Sequence, residues 1–406
     1  MEGRHSETDP RWWDAASFEG RPVADLLAER DVCGILRFLR TRGFSRTRLA
    51  AVTGLSETRV RQIAQGRQRV TSYEVLERIA DGLGIPRHLL GLGSDSGNPE
   101  ADLRGALTDP LLHDAWADLL RVLSARSNTE GCADLRGAAE GQSRLIASAR
   151  VIASGPARAR LMTIEARWTE FRSWIEANSH QPTRAEPLLD SAYSLAVEAG
   201  DQHLAAYILM RKSQQALDDG DAVRAVRLAQ QARQARQLPP RTSALCLVRE
   251  AEGHAMADDA VASRESINLA IRLVSAPEDT VDDLGGHCTV EYVRASEARC
   301  RQLLGESAAA TRAYEEVLLC WPQGGRLDEG MWRADLALAY LDDDESERAA
   351  AAGLSAVQVA AATSSARTLR AVGRLLPRLR RHRDLPAVRD LADAYRVAVG
   401  AVTIGA

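Results

Sequence analysis

The chain has 406 residues, 45% of them hydrophobic and 27% charged, with a formal net charge of −4. That length and composition suit two or three folded domains and exclude a disordered or uniformly basic protein. No apolar run approaches the roughly 18 residues a membrane helix needs, so no span is expected.

Aromatic residues make up only 4% of the chain, while alanine, the best helix former, is abundant. The composition therefore leans all-helical. Lys212 is the only lysine, so nearly all positive charge is arginine. The six cysteines, Cys33, Cys132, Cys246, Cys288, Cys300 and Cys320, form no C-x-x-C pair. The N-terminal MEGRHSETDPRWWD has no apolar signal core. Reduced thiols in a cytoplasmic protein are expected.

In chain order, residues 1–30 read as an arm whose Trp12, Trp13 and Phe18 suit packing back onto the adjoining helical domain, with an intermolecular contact as the alternative, and a short helix begins over Val23 to Leu27. Asp31 opens the next helix, with Val32, Ile35, Leu36 and Leu39 at helical spacing, and Gly43 ends it. The stretch from Ser45 to Gly66, SRTRLAAVTGLSETRVRQIAQG, predicts two short helices joined by a tight turn. Ser45 caps the first, Gly54 supplies the left-handed turn residue, Ser56 caps the second over about Glu57 to Gln65, and Gly66 stops it. Leu49, Ala50, Leu55, Val60 and Ile63 form a small core, leaving Glu57, Thr58, Arg59, Arg61 and Gln62 outward.

Charge adds to this pattern. From Arg37 to Arg69 there are nine arginines and one acid, Glu57, which gives 9 − 1 = +8 in a chain of net charge −4. A local basic island in an acidic protein is an electrostatic footprint for phosphate. The loop RQRVTS comes next, then Thr71 or Ser72 caps a helix with Val75, Leu76, Ile79 and Ala80 inward. Pro86 is expected to open a fifth helix, and GLGSDSGNPE over residues 91–100 reads as a linker.

Leu111 to Arg126 predicts an amphipathic helix that either braces the preceding domain or forms a dimer contact, and the glycine-rich Ser127 to Gly141 predicts a loop. From Ser143 onward helix is nearly continuous and regularly interrupted. Similar units start at Pro182, Gly220, Asp258, Gly305, Asp344 and His382, at offsets of 38, 38, 47, 39 and 38 residues. Each opens a helix after an acidic or glycine turn and is preceded by another helix. The longest offset holds an inserted loop, Ala276 to His287. Such a period predicts a solenoid of helical hairpins, since one hairpin cannot bury its apolar face alone.

LAAVTGLSETRVRQIAQGR, with the later VTSYEVLERIADGLGIPRHLLGLG, resembles the helix-turn-helix domain of the Xre/Cro repressor family over about Asp31 to Gly93. Where that family often has glutamine opening the second helix, this chain has Arg46. The repeats resemble a tetratricopeptide array of about six hairpins with a slightly long period. The expected fold class is all-α: an N-terminal lambda-repressor-like helix-turn-helix domain followed by a tetratricopeptide (TPR)-like helical solenoid. The expected domains are an arm at 1–30, the helix-turn-helix at 31–93, a linker and bracing helix at 94–142, and the repeats at 143–406.

The residue types assign roles. Arg reads guanine and Gln reads adenine in the major groove, so Glu57, Thr58, Arg59, Arg61 and Gln62 are the candidate base contacts, Arg59 and Gln62 foremost. Ser45, Arg46, Arg67, Gln68 and Arg69 are the candidates for gripping the backbone, and Ser56 sits at the cap between the two sets. On the solenoid, Tyr207, Arg211 and Gln214 recur at helical spacing, a pattern that suits stabilising the solenoid surface first and a ligand site second, with Arg211 suited to a peptide carboxylate.

No H-E-x-x-H, G-x-S-x-G or Walker pattern occurs, His287 and Cys288 lack a third metal ligand, and Asp342 to Asp344 lack the glycine and final glutamate of a calcium loop. No enzyme, metal or cofactor is expected. The resemblance implies a DNA-binding transcriptional regulator acting as a homodimer on double-stranded DNA, with a signalling peptide or small molecule as effector. The competing expectations are a repeat-based adaptor with little DNA binding and a phage-type repressor needing no signal.

Overall fold

The computed structural model describes residues 13, 16–92, 105–107, 109–179, 181–276 and 282–404. Two compact units divide the chain, 1–106 and 107–406. The fold is all-α, apart, among the described residues, from one small ribbon in the first unit.

That ribbon pairs β1 (Ser17–Phe18) antiparallel with β2 (Arg21–Pro22) across a turn of Glu19 and Gly20, both at positive φ. Strands of two residues carry no alternation that a sequence could reveal. The helices α1 (Val23–Ala28), α2 (Val32–Thr41), α3 (Arg46–Thr53), α4 (Glu57–Ala64) and α5 (Tyr73–Leu83) come after it. Pro86 opens only a 3-10 turn, Arg87–Leu90, because Gly91 turns left-handed before an α-helix can propagate.

The core of this unit gathers Leu27, Ile35, Leu36, Leu39, Leu49 and Ile79. Burying each side chain is worth about 1.5–3 kcal/mol. Trp13 packs edge-on to Phe38 and its indole donates to the Gly84 carbonyl at 3.2 Å. Phe18 also meets Phe38 edge-on. Trp12 lies outside the described residues. Gly82 on α5 lies against the end of α3, where a Cβ would fall 1.7 Å from the Val52 carbonyl oxygen. Only glycine permits that approach.

The second unit starts with α6 (Pro110–Glu130) and α7 (Arg136–Ile152). The loop expected over Ser127 to Gly141 is therefore corrected: only the segment between α6 and α7 is non-α, and part of it is a 3-10 turn, Ala133–Leu135. Gly131 makes the break, with φ 91 and the Thr363 carbonyl where its Cβ would be. Gly137 and Gly141 stay helical because α7 buries Ala139, Ser143, Ile146 and Ala149. Packing of this apolar stripe outweighs glycine's cost of roughly 1 kcal/mol per residue.

The remaining helices are α8 (Gly155–Ala177), α9 (Ala185–Glu198), α10 (Gln202–Asp218), α11 (Ala222–Arg233), α12 (Pro240–Met256), α13 (Ala260–Ser275), α14 (Val290–Leu303), α15 (Ser307–Leu319), α16 (Arg326–Asp342), α17 (Ser346–Thr363), α18 (Ala366–Gly373), α19 (Leu375–Leu379) and α20 (Pro386–Ile404). Gly220, Asp258, Gly305 and Asp344 all take positive φ, and each is followed two residues later by α11, α13, α15 or α17. Aspartate thus replaces glycine at one recurring turn, and the next residue, Asp221 or Asp259, caps the helix it opens. Alternate helices α8, α10, α12, α14, α16 and α18 touch one another in succession. The row curls until α18 meets the end of α8, where Arg370 donates to the Ala177 and Ser179 carbonyls and the Ala366 amide to that of Asn178.

Of the inserted loop, residues 277–281 lie outside the described residues. Asp282 beside them is buried and accepts from the amides of Thr242 (2.8 Å), Leu284 (3.1 Å) and Gly285 (2.8 Å). It pins the loop to the start of α12. Among the described residues, no helix is long and apolar enough to cross a membrane.

Candidate nucleic-acid interface and helical groove

The α3–turn–α4 segment is fixed by its caps. The Ser45 hydroxyl accepts from the Arg48 amide at 3.0 Å, and that of Ser56 from the Arg59 amide at 3.2 Å. Gly54 ends α3 in the left-handed region at φ 66. Leu49, Leu55, Val60 and Ile63 are buried. Each cap contributes about 1 kcal/mol and fixes where its helix begins.

This anchoring leaves a row of Glu57, Thr58, Arg61 and Gln62 exposed on α4. Arg59 departs from the outward expectation: it is half-buried, and its Nε has no partner among the described residues. It flanks the buried Val60–Ile63 stripe, so helical spacing alone misjudged its exposure. Ser45, Arg46, Arg67 and Arg69 are exposed and Gln68 is half-buried.

Arg37, Arg40, Arg46 and Arg61 converge on one cleft of about 290 Å³ beside the ribbon. Arg37 is held by Glu19 at 2.6 Å. Among the described residues, Arg40, Arg46 and Arg61 have no carboxylate partner. Glu19, the one acid at this cleft, was not singled out by the sequence, because its approach depends on the ribbon.

In the second unit, a groove of about 270 Å³ runs along the inner helices. Tyr207, Arg211 and Gln214 all line it, so the three residues picked by helical spacing do share one surface. Two of them are already engaged. Arg211 donates to Glu170 at 3.0 Å and to Gln214, and its guanidinium lies 4.6 Å from the centre of the Trp174 ring. Burial raises the Glu170 carboxyl, with Arg211 pulling it back. Burial likewise raises the Tyr207 phenol.

Deeper in the groove, Arg249 pairs with Glu252 at 2.5 Å and with the Tyr292 hydroxyl, both side chains of the ion pair being almost wholly buried. The Arg249 Nε has no partner among the described residues. On the rim, α6 contributes Leu120, Ser124 and Asn128, and it packs on both α8 and α16. Two further lining residues, Arg167 on α8 and Asp328 on α16, carry neither an ion pair nor a side-chain hydrogen bond among the described residues. Neither stood out in the sequence, where each is one charge among many on a helix.

His287 and Cys288, neighbours in sequence, have different surroundings. Burial pushes the Cys288 thiol up to about 12, so it stays protonated at neutral pH. His287 beside it is exposed; desolvation by the groove, with Arg211 and Arg249 nearby, lowers its imidazole from the ordinary value. A thiol held protonated by burial is not an activated nucleophile.

Residues 35–92 match the family described as helix-turn-helix domain. No curated protein matches the chain. The first unit therefore carries a helix-turn-helix domain of the DNA-binding kind, and this points to a DNA-binding regulator rather than an enzyme.

Proposed function

We propose that the protein is a sequence-specific transcriptional regulator of the Xre type that binds double-stranded DNA as a homodimer and is tuned by a ligand held in a tetratricopeptide-like second unit. The observation that carries this reading is the exposed row of Glu57, Thr58, Arg61 and Gln62 on the Ser56-capped α4, beside an arginine-lined cleft at which Glu19 is the one acid. Such a helix fits a major groove, about 12 Å wide, with Arg61 suited to guanine and Gln62 to adenine. Ser45, Arg46, Arg67, Gln68 and Arg69 fix the register on phosphate. Ser56 acts by setting where α4 starts. Arg59, with its Nε turned inward, is better suited to bracing α4 than to leading the readout.

One helix-turn-helix reads few base pairs, and a dimer gains specificity from two half-sites about 34 Å apart. Residues 31–93 supply recognition, and the hairpins from 143 onward the body that pairs and senses. Tyr207, Arg211 and Gln214 belong to the wall of the sensing groove. A ligand there bears on α6, the first long helix after the recognition unit in chain order. Preferring one arrangement of α6 is sufficient to shift DNA affinity.

Selection of bound duplexes from a random pool, followed by titration of the winner and a scrambled copy, tests this reading. A palindromic winner bound at least about 1,000-fold tighter than the scramble is expected for a specific regulator, by the usual ratio. Equal binding of both duplexes, or none, overturns it in favour of a protein-interaction adaptor.

A further inference from the structure

We infer that the groove of the second unit is built for a zwitterion of amino-acid type, a free amino acid or short peptide, whose carboxylate meets Arg167 and whose ammonium meets Asp328. This rests on the sensing role proposed above and names the chemistry of that site.

Most charges around the groove already have partners. Arg211 is neutralised by Glu170, Arg249 by Glu252, and Arg121 on the rim by Asp118 at 2.8 Å. Of the half-buried ones, Arg167 and Asp328 remain, while Asp283, also at the groove, is exposed to water. Arg167 and Asp328 have opposite signs, lie on helices α8 and α16, line the same cavity, and form no ion pair with each other. Both are half-buried. Burial raises the Asp328 carboxyl while Arg367, Arg249 and Arg211 pull it back, and Arg167 acts likewise on Glu170, so both charges are offset at a distance and neither is paired directly.

Ligand charge follows from this arrangement. A simple anion reaching Arg167 leaves Asp328 unpaired and is repelled by it. A simple cation has the mirror problem with Arg167. A neutral apolar ligand satisfies neither. A molecule carrying both charges completes both, and the cavity volume of about 270 Å³ limits its size to a small molecule. The rest of the lining is amphipathic, offering the Trp174 and Tyr292 rings and the Leu120 and Leu284 side chains. An apolar or aromatic side chain on the ligand fits that lining.

The full chain is titrated with L-phenylalanine, L-leucine and the peptide Gly-Phe, each also as its N-acetyl and C-amide form, by calorimetry and by thermal shift. At least one free zwitterion binds, and capping either end weakens it about 10-fold or more, the factor that 1.4 kcal/mol represents. Arg167→Gln removes the preference for a free carboxylate and keeps that for a free ammonium; Asp328→Asn does the reverse. Binding that ignores both caps, binding only of acids or only of amines, or no binding by any member of the panel overturns the inference. Arg167→Lys keeps the charge and retains carboxylate preference, which a merely structural role for Arg167 does not predict. DNA affinity with and without ligand separates this from the sensing role. Zwitterion binding without a change on DNA upholds the site and sinks sensing. A change on DNA driven by other small molecules, with no zwitterion bound, does the opposite.

Discussion

At the cleft shared by α2, α3 and α4, Arg40, Arg46 and Arg61 face water with no carboxylate partner among the described residues, whereas Arg211 and Arg249 in the helical groove are tucked against Glu170 and Glu252. The residue type is the same and the physics is opposite. An exposed guanidinium keeps its hydration and is available to displace counterions from a phosphate backbone. A buried one survives only because a carboxylate and a hydroxyl replace its water. Local charge is therefore a guide to function in the first unit, and in the second it is mostly a guide to packing.

Four substitutions test that contrast, from the largest effect down. Arg249→Met strands Glu252 in the interior and is expected to cost about 3–5 kcal/mol in urea denaturation. The double variant Arg249→Met/Glu252→Leu recovers most of it, and no recovery means the pair is not the unit of stability. Next, Gly82→Ala drives a methyl into the Val52 carbonyl. An overpacking loss of about 1–3 kcal/mol is expected, together with weaker DNA binding, because α3 shifts under α4. Unchanged melting of the first unit refutes that tight contact.

The third test separates reading from gripping. Arg61→Ala or Gln62→Ala loses about 1–3 kcal/mol of discrimination between specific and scrambled duplexes, with stability intact. Arg69→Ala weakens both duplexes alike and lowers the salt slope by about one. Equal loss of discrimination in both variants removes the division of roles. The smallest effect belongs to Glu19→Gln. It releases Arg37 from an exposed pair worth about 0–1 kcal/mol, so stability barely moves. The salt slope steepens by up to about 0.9 if Arg37 then reaches a phosphate. A slope identical to that of the parent chain places Arg37 away from the DNA.

The helix-turn-helix was legible because its signals are local. Ser45, Gly54, Ser56 and Gly66 act within a few residues, and each cap or turn forms as its own neighbourhood dictates. The hairpin period was legible for the same reason, since Gly220, Asp258, Gly305 and Asp344 each bend the chain at one recurring place. Local spacing failed over Ser127 to Gly141, where glycines suggested a loop and the apolar stripe of α7 won. It also failed at Arg59, whose partial burial depends on what lies beside α4.

The amino-acid order by itself determined the helical class, the recognition segment and the rhythm of the hairpins, because caps, turns and apolar periodicity are short-range. Only the tertiary structure decided which charges are spent and which remain. It placed Glu19 on Arg37, Glu170 on Arg211 and Asp282 on the start of α12, across separations of 18, 41 and 40 residues. It left Arg167 and Asp328 apart in one cavity. Electrostatic energy depends on distance and on access to water, and neither is written in the order of residues along the chain.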